Sequence, residues 1–189
     1  YSEMDDEIIS RLTALGANII NISIDDISFA VHKGEIDILI KNIKTELHGF
    51  LSYGYMSKFH FEAYMYIIST LHSLNIPCLH TPEVESILNN KYLQSLYYSK
   101  SNIPIPTTHI GFSVESFKSL GLSYYKNNSI LKKLDDYGGD GVCQHFNKDN
   151  LINNAAKLLW KNEYCIFQEY IKDSFGKSIR VLCIEGKGV

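Results

Sequence analysis

The residues best suited to chemistry lie in one stretch, SILKKLDDYGGDGV, which covers residues 129–142. An apolar run carries Lys132 and Lys133 directly into a glycine-rich loop. The loop holds three glycines, which are Gly138, Gly139 and Gly141. Glycines let backbone N–H groups converge on an anion, and a lysine at a strand end adds positive charge. The stretch therefore predicts either a phosphate-binding loop or a plain hairpin, because Asp-Asp-Tyr-Gly-Gly also favours a turn.

The two standard phosphate-binding motifs do not occur in the sequence. A P-loop needs Gly-x-x-x-x-Gly-Lys-Ser or -Thr, and the Gly-Lys-Ser at 176–178 has Ile171 where the first glycine would stand. A dinucleotide-binding fingerprint would need a glycine at position 144 after Gly139 and Gly141, where the chain has Gln144. A phosphate site in this loop would therefore be of another type.

Two further segments carry polar residues in a fixed order around the loop. NNKYLQSLYYSKSNIPIPTT is a predicted helix with an early lysine, Lys91, and it runs into a strand bracketed by Pro104 and Pro106. YCIFQEYIKDSFGKSIRVLCIEGKGV is a strand, a polar turn and a second strand that holds Arg180. Taken singly, each feature also has a simpler interpretation. Lys91 would be a solvated helix lysine, Lys132 a strand-end lysine with its ammonium in water, and FQEYI an edge strand.

In this order and spacing, the segments resemble the ATP-grasp superfamily, most closely its ribosomal protein S6 modification enzyme-like (RimK-type) glutamate ligases. That family shows a helix lysine, an Ile-Pro-x-Pro entry, a strand lysine before a glycine loop, and Gln-Glu-Tyr-Ile followed by Asp-Ile-Arg. The matching positions here are Lys91, 103–106, 132–142, 168–171 and 178–180. The resemblance covers the chain from about Pro82 onward and implies an ATP-grasp fold of the α/β (α+β) class.

The resemblance implies a role for each matching residue. Lys91 and Lys132 would contact the phosphates of ATP, and the glycine loop would close over them. The implied ATP-binding set is completed by Gly138, Gly139, Gly141, Gln168, Glu169, Tyr170, Ile171 and Ser178. Within this set, residues 169–171 would form the hinge that reads the adenine edge. Lys132 and Arg180 are the predicted catalytic residues, with Arg180 directed toward the phosphates or the acyl acceptor.

The chain departs from the family pattern at several positions. The proline that usually follows the strand lysine is Lys133, and the first half of the loop holds Asp136 and Tyr137 instead of small residues. Because a carboxylate repels phosphate unless it binds metal or faces outward, the loop is expected to close differently here. The usual ribose-binding aspartate is Ser178, whose hydroxyl is a weaker partner than a carboxylate.

The implied activity is an ATP-dependent carboxylate–amine ligase that forms an acylphosphate, with an amino acid, a peptide or a protein as substrate. ATP and Mg²⁺ are the implied cofactors. The Mg²⁺ ligands are expected beyond Val189, because no cluster of Asp, Glu and Asn follows Arg180. Either the chain is a fragment of a longer enzyme, which the missing initial Met also indicates, or it is not expected to catalyse by itself. The alternatives are a catalytically inactive nucleotide-binding or partner-binding module and an unrelated α/β domain.

The elements that would position these residues alternate between helices and strands, which predicts the α/β or α+β class. Residues 1–81 are expected to form an N-terminal α/β domain that precedes the ATP-grasp domain. Residues 82–189 would form an incomplete ATP-grasp domain, made of a helical linker and the ATP-binding subdomain. Helices are predicted at 3–15, 57–73, 82–102, 114–120 and 149–160, and strands at 17–24, 27–40 (a hairpin), 47–55, 76–80, 129–134, 142–146, 164–171 and 178–186.

The composition excludes several classes of protein. A chain of 189 residues with 45% hydrophobic content can bury a substantial core. A net charge of −3 without long blocks of one sign argues against a nucleic-acid or membrane partner. No apolar run reaches the roughly 20 residues that span a bilayer. The acidic start is unlike a signal peptide, so a cytoplasmic location is expected, with a homo-oligomer left open.

The four cysteines are isolated in the sequence and form no CxxC pair. Most of them lie in short apolar runs, and free cysteine is among the most buried residue types. They are therefore expected to be reduced core thiols. The cysteines are Cys78, Cys143, Cys165 and Cys183.

Overall fold

The structure is a computed structural model. It describes residues 3–52, 58–124, 129–136, 141–145, 147–174, 177, 179, 181–184 and 186–188. The chain divides into two compact units, Tyr1–Pro82 and Glu83–Val189. No helix in the described ranges is both long and apolar enough to cross a bilayer.

The first unit contains a three-stranded antiparallel sheet with one helix packed in its core. Lys33 and Gly34 connect the first two strands at φ values of 50° and 84°, as a tight hairpin turn requires. Ile38 of the sheet packs against Ile67 and Leu71 of the helix. The elements are helix α1 (Glu3–Ala14), a 3₁₀ turn (Ile24–Asp26), strands β1 (Ile27–His32), β2 (Glu35–Ile40) and β3 (Ile43–Lys44), and helix α2 (Lys58–Ser73).

The second unit is built on a four-stranded antiparallel sheet in the order β4-β7-β5-β6. A separate two-stranded sheet, β8-β9, follows it. The helices are α3 (Pro82–Leu88), α4 (Lys91–Lys100), α5 (Val114–Tyr124) and α6 (Lys148–Leu159). The strands are β4 (Thr108–Ile110), β5 (Ser129–Lys133), β6 (Val142–His145), β7 (Cys165–Glu169), β8 (Cys183–Ile184) and β9 (Lys187–Gly188).

The register of this sheet separates an apolar core from a face that carries polar residues. Leu131 lies opposite Phe167, while Lys132 lies opposite Ile166 and Ile130 opposite Gln168. Since side chains alternate between the two faces of a strand, Leu131 and Phe167 share one face and Lys132 and Gln168 the other. The core on the first face is formed by Phe117, Leu131, Leu151, Ala155, Cys165 and Phe167. Helices α5 and α6 cover that face, which leaves the opposite face to hold Lys132.

The helix predicted at 82–102 is two helices in the structure. α3 ends at Leu88, and Asn90 caps α4 by accepting the backbone N–H groups of Tyr92 and Leu93 at 3.0 and 3.1 Å. Asparagine favours such a cap because its side chain competes with helical backbone bonds. The break places Lys91 at the first position of α4, where its N–H donates to the Leu134 carbonyl at 3.1 Å.

Four predicted strands are wrong or much shorter than expected in the described residues. Residues 17–23, all of which the structure describes, have no regular structure, and Ile20 is 46% exposed. Within residues 47–52 and 76–80, which the structure describes, the predicted strands contribute one isolated bridge, between Phe50 and Cys78. Within the described part of the predicted strand 178–186, only Cys183–Ile184 is paired. An apolar run forms a strand only when another strand pairs with it through backbone hydrogen bonds, and the local pattern does not predict that pairing.

The expectation of four core thiols is wrong for two cysteines. Cys165 is fully buried in the core, and burial raises the pKa of its thiol to about 12. Cys143 lies on the edge strand β6 and Cys183 on the short strand β8, and both are exposed. Cys78 is partly buried, and all four cysteines are free thiols.

Candidate functional site

Lys132 lies at the loop end of β5, on the sheet face opposite the core. Its ammonium group donates to Oε1 of Gln168 on β7 at 2.5 Å. The amide of Gln168 donates in turn to the hydroxyl of Thr108 on β4 at 3.0 Å. A polar chain thus crosses three neighbouring strands and fixes the position of Lys132.

Lys91 brings a second ammonium group to the same end of the sheet. Its Nζ atom donates to the backbone carbonyls of Leu134, at 3.5 Å, and of Asp136. Both acceptors lie in the segment that leads from β5 into the glycine loop. The structure therefore places the two lysines predicted to contact phosphate together, although 41 positions separate them in the sequence (132 − 91).

The electrostatics of this lysine pair favour an anionic ligand. Burial lowers the pKa of Lys91, partly offset by the charges of Asp136 and Asp135. Burial also lowers the pKa of Lys132, and the Lys91 charge lowers it further. Each lysine therefore holds its proton less firmly than in water, and a polyanion between them would relieve the desolvation and the repulsion.

Gly141 ends the loop in a conformation that glycine permits. Its φ is +67°, and a side chain at this position would overlap the Asp136 carboxylate. The Gly141 carbonyl accepts the backbone N–H of Lys133 at 3.2 Å. Gly141 thus packs directly against the Asp136 side chain.

Replacing Gly141 by alanine is expected to destabilise the chain by about 2 kcal/mol, because left-handed backbone strain adds to the overlap with Asp136. Urea unfolding followed by circular dichroism measures the change. Gly186→Ala is the matched control, since Gly186 has a φ of +76° and open space around its Cα. The control is expected to cost about 1 kcal/mol or less. Equal losses would contradict the close packing of Asp136 at Gly141.

The Asp136 carboxylate, expected to hinder phosphate binding, is held by a lysine. Its Oδ2 atom lies 3.5 Å from Nζ of Lys133, which also lies 3.1 Å from the Glu163 carboxylate. The hydrogen bond that Lys133 donates to Glu163 and the charge of Asp136 raise the pKa of Lys133. Lys133 therefore stays protonated between two carboxylates.

The predicted hinge begins where β7 ends. The Glu169 carboxylate accepts the hydroxyl of Thr107 at 3.0 Å, and the Glu169 N–H donates to the Thr107 carbonyl at 2.8 Å. Tyr170 and Ile171 follow the strand, and Ile171 is 42% exposed. Gln168, one residue before the hinge, accepts the hydrogen bond from Lys132.

Several predicted site residues lie outside the described residues. These are Gly138, Gly139, Ser178 and Arg180, together with Tyr137 of the loop. Their predicted roles therefore stay predictions.

Residues that the sequence did not single out also contribute to the site. Thr108 completes the polar chain to Lys132, and Glu163 supports Lys133. The only sequence signal for Thr108 is its place two residues after Pro106, at the start of an extended segment. Its contact with Gln168 depends on strand register, which the pattern does not fix.

The described residues contain no group of three or more His, Cys, Asp or Glu side chains that could hold a metal ion. Mg²⁺ takes oxygen ligands in near-octahedral geometry, commonly one or two carboxylates together with substrate phosphates. The expectation that its protein ligands lie beyond Val189 stays a prediction.

The sequence matches the family model described as the ATP-grasp domain of prokaryotic glutathione synthetase, over residues 94–189. This match covers half of the chain, so the chain belongs to this ATP-grasp family. The predicted superfamily and the α+β ATP-grasp fold class are thereby confirmed. Membership implies ATP binding, typically with Mg²⁺.

Two curated relatives carry the name "Probable alpha-L-glutamate ligase", in agreement with the predicted glutamate-ligase branch. The protein of Shewanella halifaxensis (strain HAW-EB4) is 29% identical over 157 residues, which cover 82% of this chain and 31% of the relative. That of Shewanella pealeana (strain ATCC 700345 / ANG-SQ1) is 29% identical over 154 residues, 80% of this chain and 30% of the relative. The chain thus spans about a third of the length of these relatives.

Solved ATP-grasp ligases share the fold at low sequence identity. The ATP-grasp ligase PsnB complexed with minimal precursor aligns with a TM-score of 0.57 and 12% identity, over 90% of this chain and 61% of that protein. The RiPP-associated ATP-grasp ligase of Chryseobacterium gregarium, in complex with ADP and a leader and core peptide, aligns with a TM-score of 0.50 and 17% identity, over 86% of this chain and 57% of that protein.

Proposed function

We propose that the chain is the nucleotide-binding part of an ATP-dependent carboxylate–amine ligase. The observation that carries this proposal is that Lys91 and Lys132 both lie at the loop end of β5, near enough for the Lys91 charge to lower the pKa of Lys132. Two ammonium groups in a partly buried site are suited to the phosphates of ATP, since charge is neutralised more strongly where water is partly excluded.

The proposed reaction has two steps. A carboxylate oxygen of the substrate attacks the γ-phosphorus of ATP, the bond to the β–γ bridging oxygen breaks, and ADP leaves with the electron pair. An amine then attacks the acyl carbon of the acylphosphate, phosphate leaves, and the nitrogen loses a proton to give an amide. Lys91 and Lys132 contribute by orienting the phosphates and balancing their charge, with no covalent bond to the protein.

The proposed substrates are an amino acid, a peptide or a protein. Support comes from the names of relatives, which include glutamate ligases and a ligase complexed with a leader and core peptide. A hydroxyl acceptor, which would give an ester, follows the same two steps. Lys91 and Lys132 are proposed to bind the phosphates of ATP, so their positions do not determine which acceptor the ligase uses.

We also propose how the site is completed. Residues 82–189 would form the ATP-grasp part, with Glu169, Tyr170 and Ile171 as its adenine-reading hinge. Residues 1–81 would form the domain that precedes it. Arg180 would act on the phosphates or the acceptor, and Ser178 would face the ribose, as the resemblance implies.

ATP binding by the chain is the first test of this proposal. Isothermal calorimetry with ATP, with and without Mg²⁺, is expected to show saturable binding, because the lysine pair requires no metal for its own contacts. AMP, which lacks the β- and γ-phosphates, is the matched control ligand and is expected to bind at least about tenfold more weakly. Equal affinity for ATP and AMP, or no binding by a folded chain, would contradict the proposed phosphate site.

The ligase chemistry is tested on the full-length gene product. With ATP, Mg²⁺ and a carboxylate substrate, hydroxylamine is expected to trap the acylphosphate as a hydroxamate, with one ADP released per hydroxamate. Release of ADP without hydroxamate would contradict an acylphosphate and favour plain ATP hydrolysis.

A further inference from the structure

Lys133 occupies an unusual position beside the proposed phosphate site. It follows Lys132 on β5, so the two side chains leave the strand on opposite faces. The Lys133 ammonium lies 3.1 Å from Oε2 of Glu163, in the turn between α6 and β7. That turn is held by the Glu163 N–H, which donates to the Leu158 carbonyl at 3.0 Å. Lys133 is thus anchored to the scaffold on the core side of the sheet.

The backbone carbonyl and the carboxylate of Asp136 have different lysine partners. Its backbone carbonyl accepts a hydrogen bond from the Lys91 ammonium, while its carboxylate lies 3.5 Å from the Lys133 ammonium. The carboxylate fills the space that a side chain on Gly141 would need. A single residue therefore lies between a lysine proposed to bind phosphate and a lysine that is paired with carboxylates.

The position of the Asp136 carboxylate matters for any anion bound at Lys91. Because the carbonyl of the same residue already contacts Lys91, rotation of the side chain would bring the carboxylate within reach of that ammonium. The Asp136 carboxylate would then neutralise the Lys91 ammonium and place a negative charge next to the bound phosphate. The ion pair with Lys133 opposes this rotation.

We propose that Lys133 is a positioning residue for ATP binding, which holds the Asp136 carboxylate in an ion pair with itself and so limits how far that carboxylate offsets the Lys91 charge. The inference rests on the proposed ATP site. It explains how this chain accommodates an aspartate at the start of the glycine loop, since Lys133 supplies the compensating charge from the opposite face of β5.

A double-mutant cycle tests this role. The affinity for ATP is measured by calorimetry for the chain as it stands, Lys133→Met, Asp136→Asn and the double variant. Lys133→Met alone is expected to weaken ATP binding about tenfold, because the released carboxylate pairs with Lys91. In the D136N background, the same Lys133→Met change is expected to have no more than a twofold effect, since residue 136 then has no carboxylate that could pair with Lys91.

The controls separate this role from support of the fold. Lys161→Met removes the same charge from an exposed lysine near Glu163 and is expected to leave ATP affinity unchanged. Thermal unfolding reports whether each variant is folded. Lys133→Gln, which keeps a polar contact with Glu163, replaces Lys133→Met in the cycle if the methionine variant does not fold.

Two results would overturn the inference alone. Wild-type affinity in the folded Lys133 variant would show that Lys133 does not affect the site, and an equal loss in both backgrounds would show a role that does not pass through the Asp136 carboxylate. In either case the unsubstituted chain still binds ATP, so the proposed function stands. Absence of ATP binding by the folded, unsubstituted chain would instead overturn the proposed function and this inference together.

Discussion

Replacing Lys132 by alanine is expected to weaken ATP binding by about a hundredfold, equivalent to about 2.7 kcal/mol. The lysine is half-buried at the end of β5, so its charge-assisted contact with a phosphate is only partly screened by water. Gln168 holds the ammonium in place before the ligand arrives, which reduces the entropy lost on binding. Calorimetry at constant ionic strength measures the loss, because salt screens such contacts.

Lys157→Ala is the matched control for this prediction. Lys157 lies on the exposed side of α6, and its removal changes the net charge by the same amount. Its ATP affinity is expected to stay within about twofold of the unsubstituted chain. Lys132→Ala also removes the repulsion between Lys132 and Lys91, so the folded state is not expected to lose stability through charge. Equal effects of the two substitutions would contradict a phosphate site at Lys132.

The central strands and helices of the second unit could be predicted from the sequence because their patterns are locally complete. The apolar runs at β5 and β7 and the amphipathic α6 each contain the residues that form the core, such as Leu131, Leu151 and Phe167. A local pattern predicts an element reliably when the residues that stabilise it lie within that element.

The parts that could not be predicted depend on contacts between distant residues. Residues 17–23 have a strand-like composition, but in the structure they have no strand partner. The break between α3 and α4 depends on Asn90 acting as a cap, whereas asparagine alone does not end a helix. Secondary structure is settled in such places by tertiary contacts, which override the local preference.

The candidate site shows the same division between local and distant information. The resemblance identified Lys91 and Lys132, but the contact of Lys132 with Gln168 arises from the antiparallel pairing of β5 with β7. The Asp136 carboxylate was expected to repel phosphate, but its ion pair with Lys133 compensates the negative charge. Sequence order suggested which residues bind, whereas strand register determines how they are held.

Replacing Phe117 by alanine is expected to lower the free energy of unfolding by about 3–5 kcal/mol. Phe117 is fully buried, and its ring lies 4.4 Å from that of Phe167 at an interplanar angle of 30°. A side chain at Gly111 would come within 3.2 Å of the Phe117 ring, so the backbone packs closely there. A closely packed site collapses little after truncation, and the cavity therefore adds to the lost transfer free energy.

Phe112→Ala is the matched control, since Phe112 is 69% exposed and its ring contacts Tyr164 at 5.7 Å. Its effect on urea unfolding is expected to be about 1 kcal/mol or less. Phe117 and Phe167 hold α5 against β7. The other face of β7 carries Gln168, which holds Lys132 in place by a hydrogen bond. Loss of this packing should therefore also weaken ATP binding in variants that remain folded. Similar unfolding energies for the Phe117 and Phe112 variants would contradict the core on which the site is built.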